Sequence, residues 1–141
     1  MRPSSLFDRV RKLLEASRFD DYMGLFTDDC VMQFELEIVG KAATRQYFES
    51  VMERLPDIRH EALPVTETDS AIAAAEVPAT GTPSGPIPIG DVNVMPSRGP
   101  AEFIAVELLW LREGKIARWY AYNDRLKLYA SLGIGVTPRA T

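Results

Sequence analysis

The chain has 141 residues, 46% of them hydrophobic and 26% charged, with a formal net charge of -4. That is the profile of a globular domain with a real core, not of a disordered chain. An acidic chain with no basic run is a poor candidate for nucleic-acid binding, and no apolar stretch approaches the roughly 18 residues of a membrane span.

The single Cys30 excludes an internal disulfide, and with the single His60 it leaves a His/Cys metal site almost no ligands. The first ten residues lack the apolar segment of a signal peptide, so a cytoplasmic location is expected. In chain order, the segment Ser5, Leu6, Phe7, Asp8 reads as a variant capping box opening a helix. Leu6, Phe7, Val10, Leu13 and Leu14 form its apolar stripe, with Arg9, Arg11, Lys12 and Glu15 on the wet face. A short helix follows over 19–26 and is broken by Thr27, Asp28 and Asp29, a turn and cap pair. From Cys30 the period changes to two: Met32, Phe34, Leu36 and Ile38 alternate with Gln33, Glu35 and Glu37, a strand with one buried face. Gly40 turns the chain, 41–55 is helical, and Pro56 ends that helix.

Strands are expected at 57–66 and 71–80 around a turn at 67–70. Residues 81–100 hold five Pro and four Gly and read as a long irregular connection, of the kind that is usually functional or mobile. Residues 101–111 and 115–122 form a hairpin across Arg112, Glu113 and Gly114. Asp124 caps a last helix carrying Leu126, Tyr129 and Leu132, closed by Gly133. Helices gather early and strands late, which gives one α+β domain over 1–141, and no Gly-rich phosphate loop follows a strand.

Three segments carry a family resemblance: LFTDDCV at 25–31, ATGT at 79–82 with Gly85, and LREGKIARWYAYND at 111–124 followed by Leu128, Leu132 and Gly133. They resemble the helix-to-strand passage, the Gly-Thr-rich strand end and the last hairpin of the SnoaL-like polyketide cyclases. Those belong to the nuclear transport factor two-like superfamily, with limonene epoxide hydrolase and ketosteroid isomerase. The resemblance spans nearly the whole chain. It implies a cone-shaped, curved antiparallel sheet, three helices on the N-terminal side and a short C-terminal helix, enclosing one pocket. It specifies fold better than chemistry, because this fold hosts many reactions. None of the relatives' catalytic sets carries over. The acid that follows the Trp119 position by two is Ala121. The hydrolases' Arg and second Asp become Glu76 and Pro78. Their water-positioning Tyr and Asn become Met32 and Phe34, and the isomerase base also falls at Phe34.

Glu107 is the leading candidate for chemistry. It sits in the apolar run 103–111, where a charge is costly unless paired or facing a cavity. Strand parity groups it with Phe103, Ala105 and Leu109, and the resemblance implies that this face lines the pocket, with a proton-handling His at the Glu107 position. A carboxyl in an apolar pocket has a raised pKa and suits general acid or base work. Glu76 is the second candidate acid, placed pocket-side by the resemblance, so that the two carboxyls would divide acid and base roles. Trp119 is expected to stack on a flat ligand and Asn123 to hydrogen-bond it. Met32, Phe34, Phe103, Ala105 and Ala121 are expected to complete the lining, with Tyr22 a donor at the mouth. Tyr120 and Tyr122 lie on the other sheet face, which suits a homodimer.

The expected activity is cofactor-free proton transfer, as in a cyclase, isomerase or dehydratase, on an apolar carbonyl compound of polycyclic type. Segment 81–100 would act as a lid. A non-catalytic binding or dimerisation module and an epoxide hydrolase with a rearranged acid set are the alternatives. No cofactor, metal, nucleic acid or membrane is expected as a partner.

Overall fold

A computed structural model describes residues 2–61, 64–68 and 71–140. The elements run α1 (Pro3–Glu15), α2 (Phe19–Met23), β1 (Phe26–Gln33), β2 (Glu37–Val39), α3 (Lys41–Arg54), β3 (Arg59–His60), β4 (Thr66–Thr68), β5 (Ile72–Gly81), β6 (Ile87–Ile89), β7 (Val92–Val94), β8 (Ala101–Arg112), β9 (Lys115–Asn123) and α4 (Arg125–Ser131). This is α+β: a curved, unclosed sheet with four helices. The main sheet has the order β2-β1-β9-β8-β5-β3, with β4 also paired to β5.

The sheet is mixed, not wholly antiparallel as the sequence suggests, because β1 and β9 pair in parallel. No turn joins those two strands, so nothing local in the sequence sets their relative direction. The centre is β8. It pairs antiparallel with β5 from Gly81↔Ala101 to Ile72↔Trp110, and with β9 from Ala105↔Asn123 to Arg112↔Lys115. Alternation along these strands sends Ala73, Ala75, Val77 and Ala79 of β5, Ala105, Glu107 and Leu109 of β8, and Trp119 and Ala121 of β9 inward, where all are buried. The inner layer is closed by Leu6, Phe7, Val10 and Leu14 of α1, Tyr22 and Met23 of α2, and Phe48 and Met52 of α3.

Several local expectations need correction. Helix α1 starts at Pro3, not after Ser5, because Pro fits the first helical turn, where its missing N–H costs nothing. No side chain of its own caps it; Glu67 of β4 accepts from the Ser4 backbone N–H at 3.0 Å instead. Asp28 and Asp29 lie within β1. A register shift between Phe26 and Val31 lets both successive acids face water, the signature of a bulge. The alternating run 30–38 is two strands with a bend between them, where the Phe34 N–H bonds to the Leu36 carbonyl and Leu36 is exposed. The strand expected over 57–66 is reduced to β3 and the first residue of β4; Glu67 and Thr68 of the expected turn belong to β4, and Asp69 and Ser70 lie outside the described residues.

The connection 81–100 is not wholly irregular, since it carries the β6–β7 hairpin. Ser84 ties it to the end of α3 through the Arg54 and Glu53 carbonyls, and Ser97 ties it to Leu132 and Gly133. Gly133 needs its glycine: φ is +70°, and a Cβ there would stand 2.1 Å from Ser97 Oγ. Asp124 caps α4 as expected, accepting from the Lys127 N–H at 3.0 Å. The buried side of α4 is carried by Leu128 and Leu132, whereas Leu126 is exposed. Truncating Leu109, which is fully buried, to Ala should therefore cost about 2–5 kcal/mol in urea denaturation. Leu126→Ala should change stability by about 0.5 kcal/mol or less.

Candidate active site

The concave side of the sheet is lined by an aromatic wall and an alanine wall. Four elements supply the rings. Tyr22 of α2 lies 5.1 Å, centroid to centroid, from both Phe26 and Phe48. Trp119 stacks with Phe48 at 5.6 Å and meets Phe34 edge-on at 5.7 Å. The same inward face of the sheet carries Ala73, Ala75 and Ala79 of β5 with Ala105 of β8 and Ala121 of β9, all buried. These rings and methyl groups pack against one another as a single apolar layer.

Into this lining projects Glu107, the one buried carboxylate among the described residues. Burial pushes its pKa up to about 7, against the opposing pull of the Arg11 charge and the Trp119 indole N–H. The surrounding donors are unsatisfied. Tyr22 Oη, Trp119 Nε1, and Nε and Nη2 of Arg11 are buried with no hydrogen-bond partner among the described residues. Burial also drives the Tyr22 hydroxyl pKa upward, with the nearby Glu107 adding to the effect, so it stays protonated. Buried donors without partners are rare in native interiors and call for an explanation. A titratable carboxyl surrounded by free donors is the arrangement that accepts a proton from one atom of a ligand while stabilising charge on another.

Of the residues singled out from sequence, the fold brings together Glu107, Trp119, Tyr22, Met32, Phe34, Ala105 and Ala121, all buried or half-buried around the concave side. Phe103 is half-buried and packs on the same core. Glu76 is not with them. It is exposed on the convex face, opposite Val106 across the β5–β8 ladder. The dyad of Glu76 and Glu107 is therefore excluded by strand parity. Asn123 shares the parity of Trp119 but is exposed, because it is the last residue of β9, beyond the cover of the helices. Tyr22 is fully buried, not at a mouth.

Arg11, expected on the wet face, is buried at 7% exposure. The signal was present in the spacing: Arg11 stands four residues after Phe7 and three before Leu14, on the apolar stripe. His60 pairs through Nδ1 with Glu15 Oε1 at 3.0 Å and ties β3 to α1. Burial lowers its pKa despite that partner. Two open surface clefts lie elsewhere. One, of about 370 Å³, is bounded by residues 82–85 and 95–99. The other, of about 360 Å³, lies between β2 and α3. Neither reaches Glu107.

A raised carboxyl pKa favours the folded state at low pH. The contribution is fully present below the unfolded value near 4.5 and lost as pH rises through about 7. Glu107→Gln should thus leave stability nearly unchanged at pH 4.5 and raise it at pH 8 by about 3 kcal/mol, from 1.36 kcal/mol per pKa unit. His60 acts in the opposite direction, since its depressed pKa removes stability as pH falls below about 6.5. The difference between variant and parent across pH, read by urea denaturation, isolates Glu107.

None of the curated proteins compared matches the sequence. Among solved structures, IdmH from Streptomyces antibioticus, a candidate polyketide cyclase, is 18% identical with TM-score 0.75, over 95% of this chain and 100% of that one. A protein of ketosteroid isomerase-like fold from Catenulispora acidiphila, in complex with trimethylamine, is 12% identical with TM-score 0.77, over 98% and 100%. An LEH-like epoxide hydrolase from M. tuberculosis is 17% identical with TM-score 0.64, over 86% and 82%. At these identities the likeness is one of fold. The SnoaL-like domain model matches residues 7–119, four-fifths of the sequence, and the chain belongs to that family.

Proposed function

We propose that this protein is a cofactor-free proton-transfer enzyme acting on an aromatic or polycyclic carbonyl compound. The observation that carries this reading is the buried Glu107 carboxyl, with pKa near 7, among unpartnered donors in an aromatic lining. In the forward step, ionised Glu107 takes a proton from the carbon next to the substrate carbonyl. The C–H electron pair moves into the C–C bond, and the carbonyl becomes an enolate whose oxygen is held by Tyr22 and Trp119. Glu107, now a carboxylic acid, returns the proton to another carbon in an isomerisation, or to the alkoxide formed when the enolate closes a ring. The substrate ring would pack against the stack that Trp119 and Phe48 form with each other. Epoxide hydrolysis is less well supported, because Glu76 faces outward and no second carboxylate joins Glu107 among the described buried residues.

The test is hydrogen–deuterium exchange at the α-carbon of phenylacetone and phenylpyruvate in D2O, followed by proton NMR. Exchange above the buffer rate should rise with pH through about 7 and level off, since the base is the ionised form. Glu107→Gln should reduce it by about 10²–10⁴-fold. Exchange no faster than buffer for either compound, or undiminished by Glu107→Gln, overturns the reading.

The close packing of Tyr22, Phe34, Phe48 and Trp119 on one another favours a second reading, a binding module without turnover. Ligand binding with no exchange in any of these assays would support it.

A second copy of this chain is proposed to cover the convex sheet face. There Val106 is 48% and Tyr122 59% exposed, and Trp110 packs edge-on to Tyr120. Val106→Glu should convert a dimer to a folded monomer in sedimentation equilibrium. A parent protein that is already monomeric at tens of micromolar would refute this.

A further inference from the structure

Arg11 has no role in the proton transfer just described. It stands on the apolar stripe of α1, with its guanidinium within 5.5 Å of the Phe7 ring centroid. Nη1 donates to the Glu61 backbone carbonyl at 2.6 Å, which fixes the head group in place. The remaining Nε and Nη2 are buried and unpartnered among the described residues.

A buried cation is costly unless an anion compensates it. Neither Glu15 nor Glu107 accepts a hydrogen bond from it. Glu15 is engaged with the His60 backbone N–H and ring. Glu107 feels the Arg11 charge, yet no guanidinium N–H bonds to it. An arginine held by one N–H, with two others free and pre-oriented in a water-poor interior, has the geometry that binds a planar carboxylate through parallel bonds.

We propose that Arg11 is the anchor for a carboxylate on the substrate, so that the ligand is an anionic carbonyl compound, an aromatic keto acid or its polycyclic equivalent, and not a neutral ketone. This deepens the proton-transfer reading, because it sets the charge of the molecule presented to Glu107. The anchored carboxylate and the aromatic stack on Trp119 would fix two ends of the ligand and leave the reacting carbon to the carboxyl between them.

The experiment compares phenylacetate with its neutral isostere phenylacetamide by calorimetric titration of the parent protein, Arg11→Met, Arg11→Lys and Glu107→Gln. The parent should bind phenylacetate at least tenfold more tightly. Arg11→Met should bring that ratio close to one. Arg11→Lys should retain part of it, because it keeps the charge and loses the fork. Glu107→Gln should keep or enlarge the ratio, since it removes a repelling carboxylate. If Arg11→Met does not fold, the parent ratio and the Arg11→Lys ratio decide. A parent ratio near one, no binding of phenylacetate, or a ratio unchanged in both Arg11 variants overturns the proposal.

The outcome is separable from that of the proton-transfer reading. An acid preference dependent on Arg11, with no deuterium exchange, would leave an anion-binding site without the enzyme. Exchange dependent on Glu107, with equal rates for phenylpyruvate and phenylacetone, would leave the enzyme without the anchor.

Discussion

Strand β8 is paired along ten residues to β5 on one side and along most of its length to β9 on the other, so its backbone is held on both edges. Its side chains can go only to the concave or the convex side, and the period of two decides which. Glu107 falls on the same side as Ala105 and Leu109. It cannot turn to water without shifting a register that also positions Leu109, Trp119 and the alanines of β5. The ladder therefore holds a carboxyl where its charged form is disfavoured, and the displaced pKa is the result. A buried ionisable group is tolerable when the rest of the fold over-determines its place, and functional sites are where such placements concentrate.

The same ladder explains why the donors around Glu107 remain unpaired. Trp119 is fixed by β9 and by stacking on Phe48, and Tyr22 by contacts with Phe26 and Phe48. Their polar atoms point where packing puts them, and no well-formed hydrogen bond closes on the carboxyl, although the Trp119 N–H lies near enough to pull on its charge. Each unpaired donor costs about 1–3 kcal/mol. A ligand that accepted those bonds would recover that cost on binding, which couples ligand affinity directly to the stability the protein gives up when empty.

The α+β class, the helix count, the β8–β9 hairpin and the Asp124 cap were legible in the sequence because each rests on a local signal: a change of period, a Glu-Gly turn, an N-cap before an apolar run. Glu107 was legible for the same reason, as a charge inside an apolar strand. Glu76 was not. The segment from Ala71 to Val77 is apolar on both sides of the strand, so its composition gives no alternation from which to choose a face. The side is set by pairing with β8, which is a long-range fact. Arg11 carries a charge that points to water but a spacing that puts it on the stripe of Phe7 and Leu14, and the spacing decides. The bend at 34–36 was hidden because apolar alternation continues through it.

The concave wall is made from the smallest side chains available. Ala73, Ala75, Ala79, Ala101, Ala105 and Ala121 present single methyl groups from three adjacent strands. Ala75 and Ala121 are the direct ladder partners of Glu107, whereas Ala73, Ala79 and Ala101 pair elsewhere along β5 and β8. Enlarging one of these last three would alter the wall without altering the two pairs that flank the carboxyl, so that the shape of the concave side can diverge by single substitutions while Glu107 keeps its place.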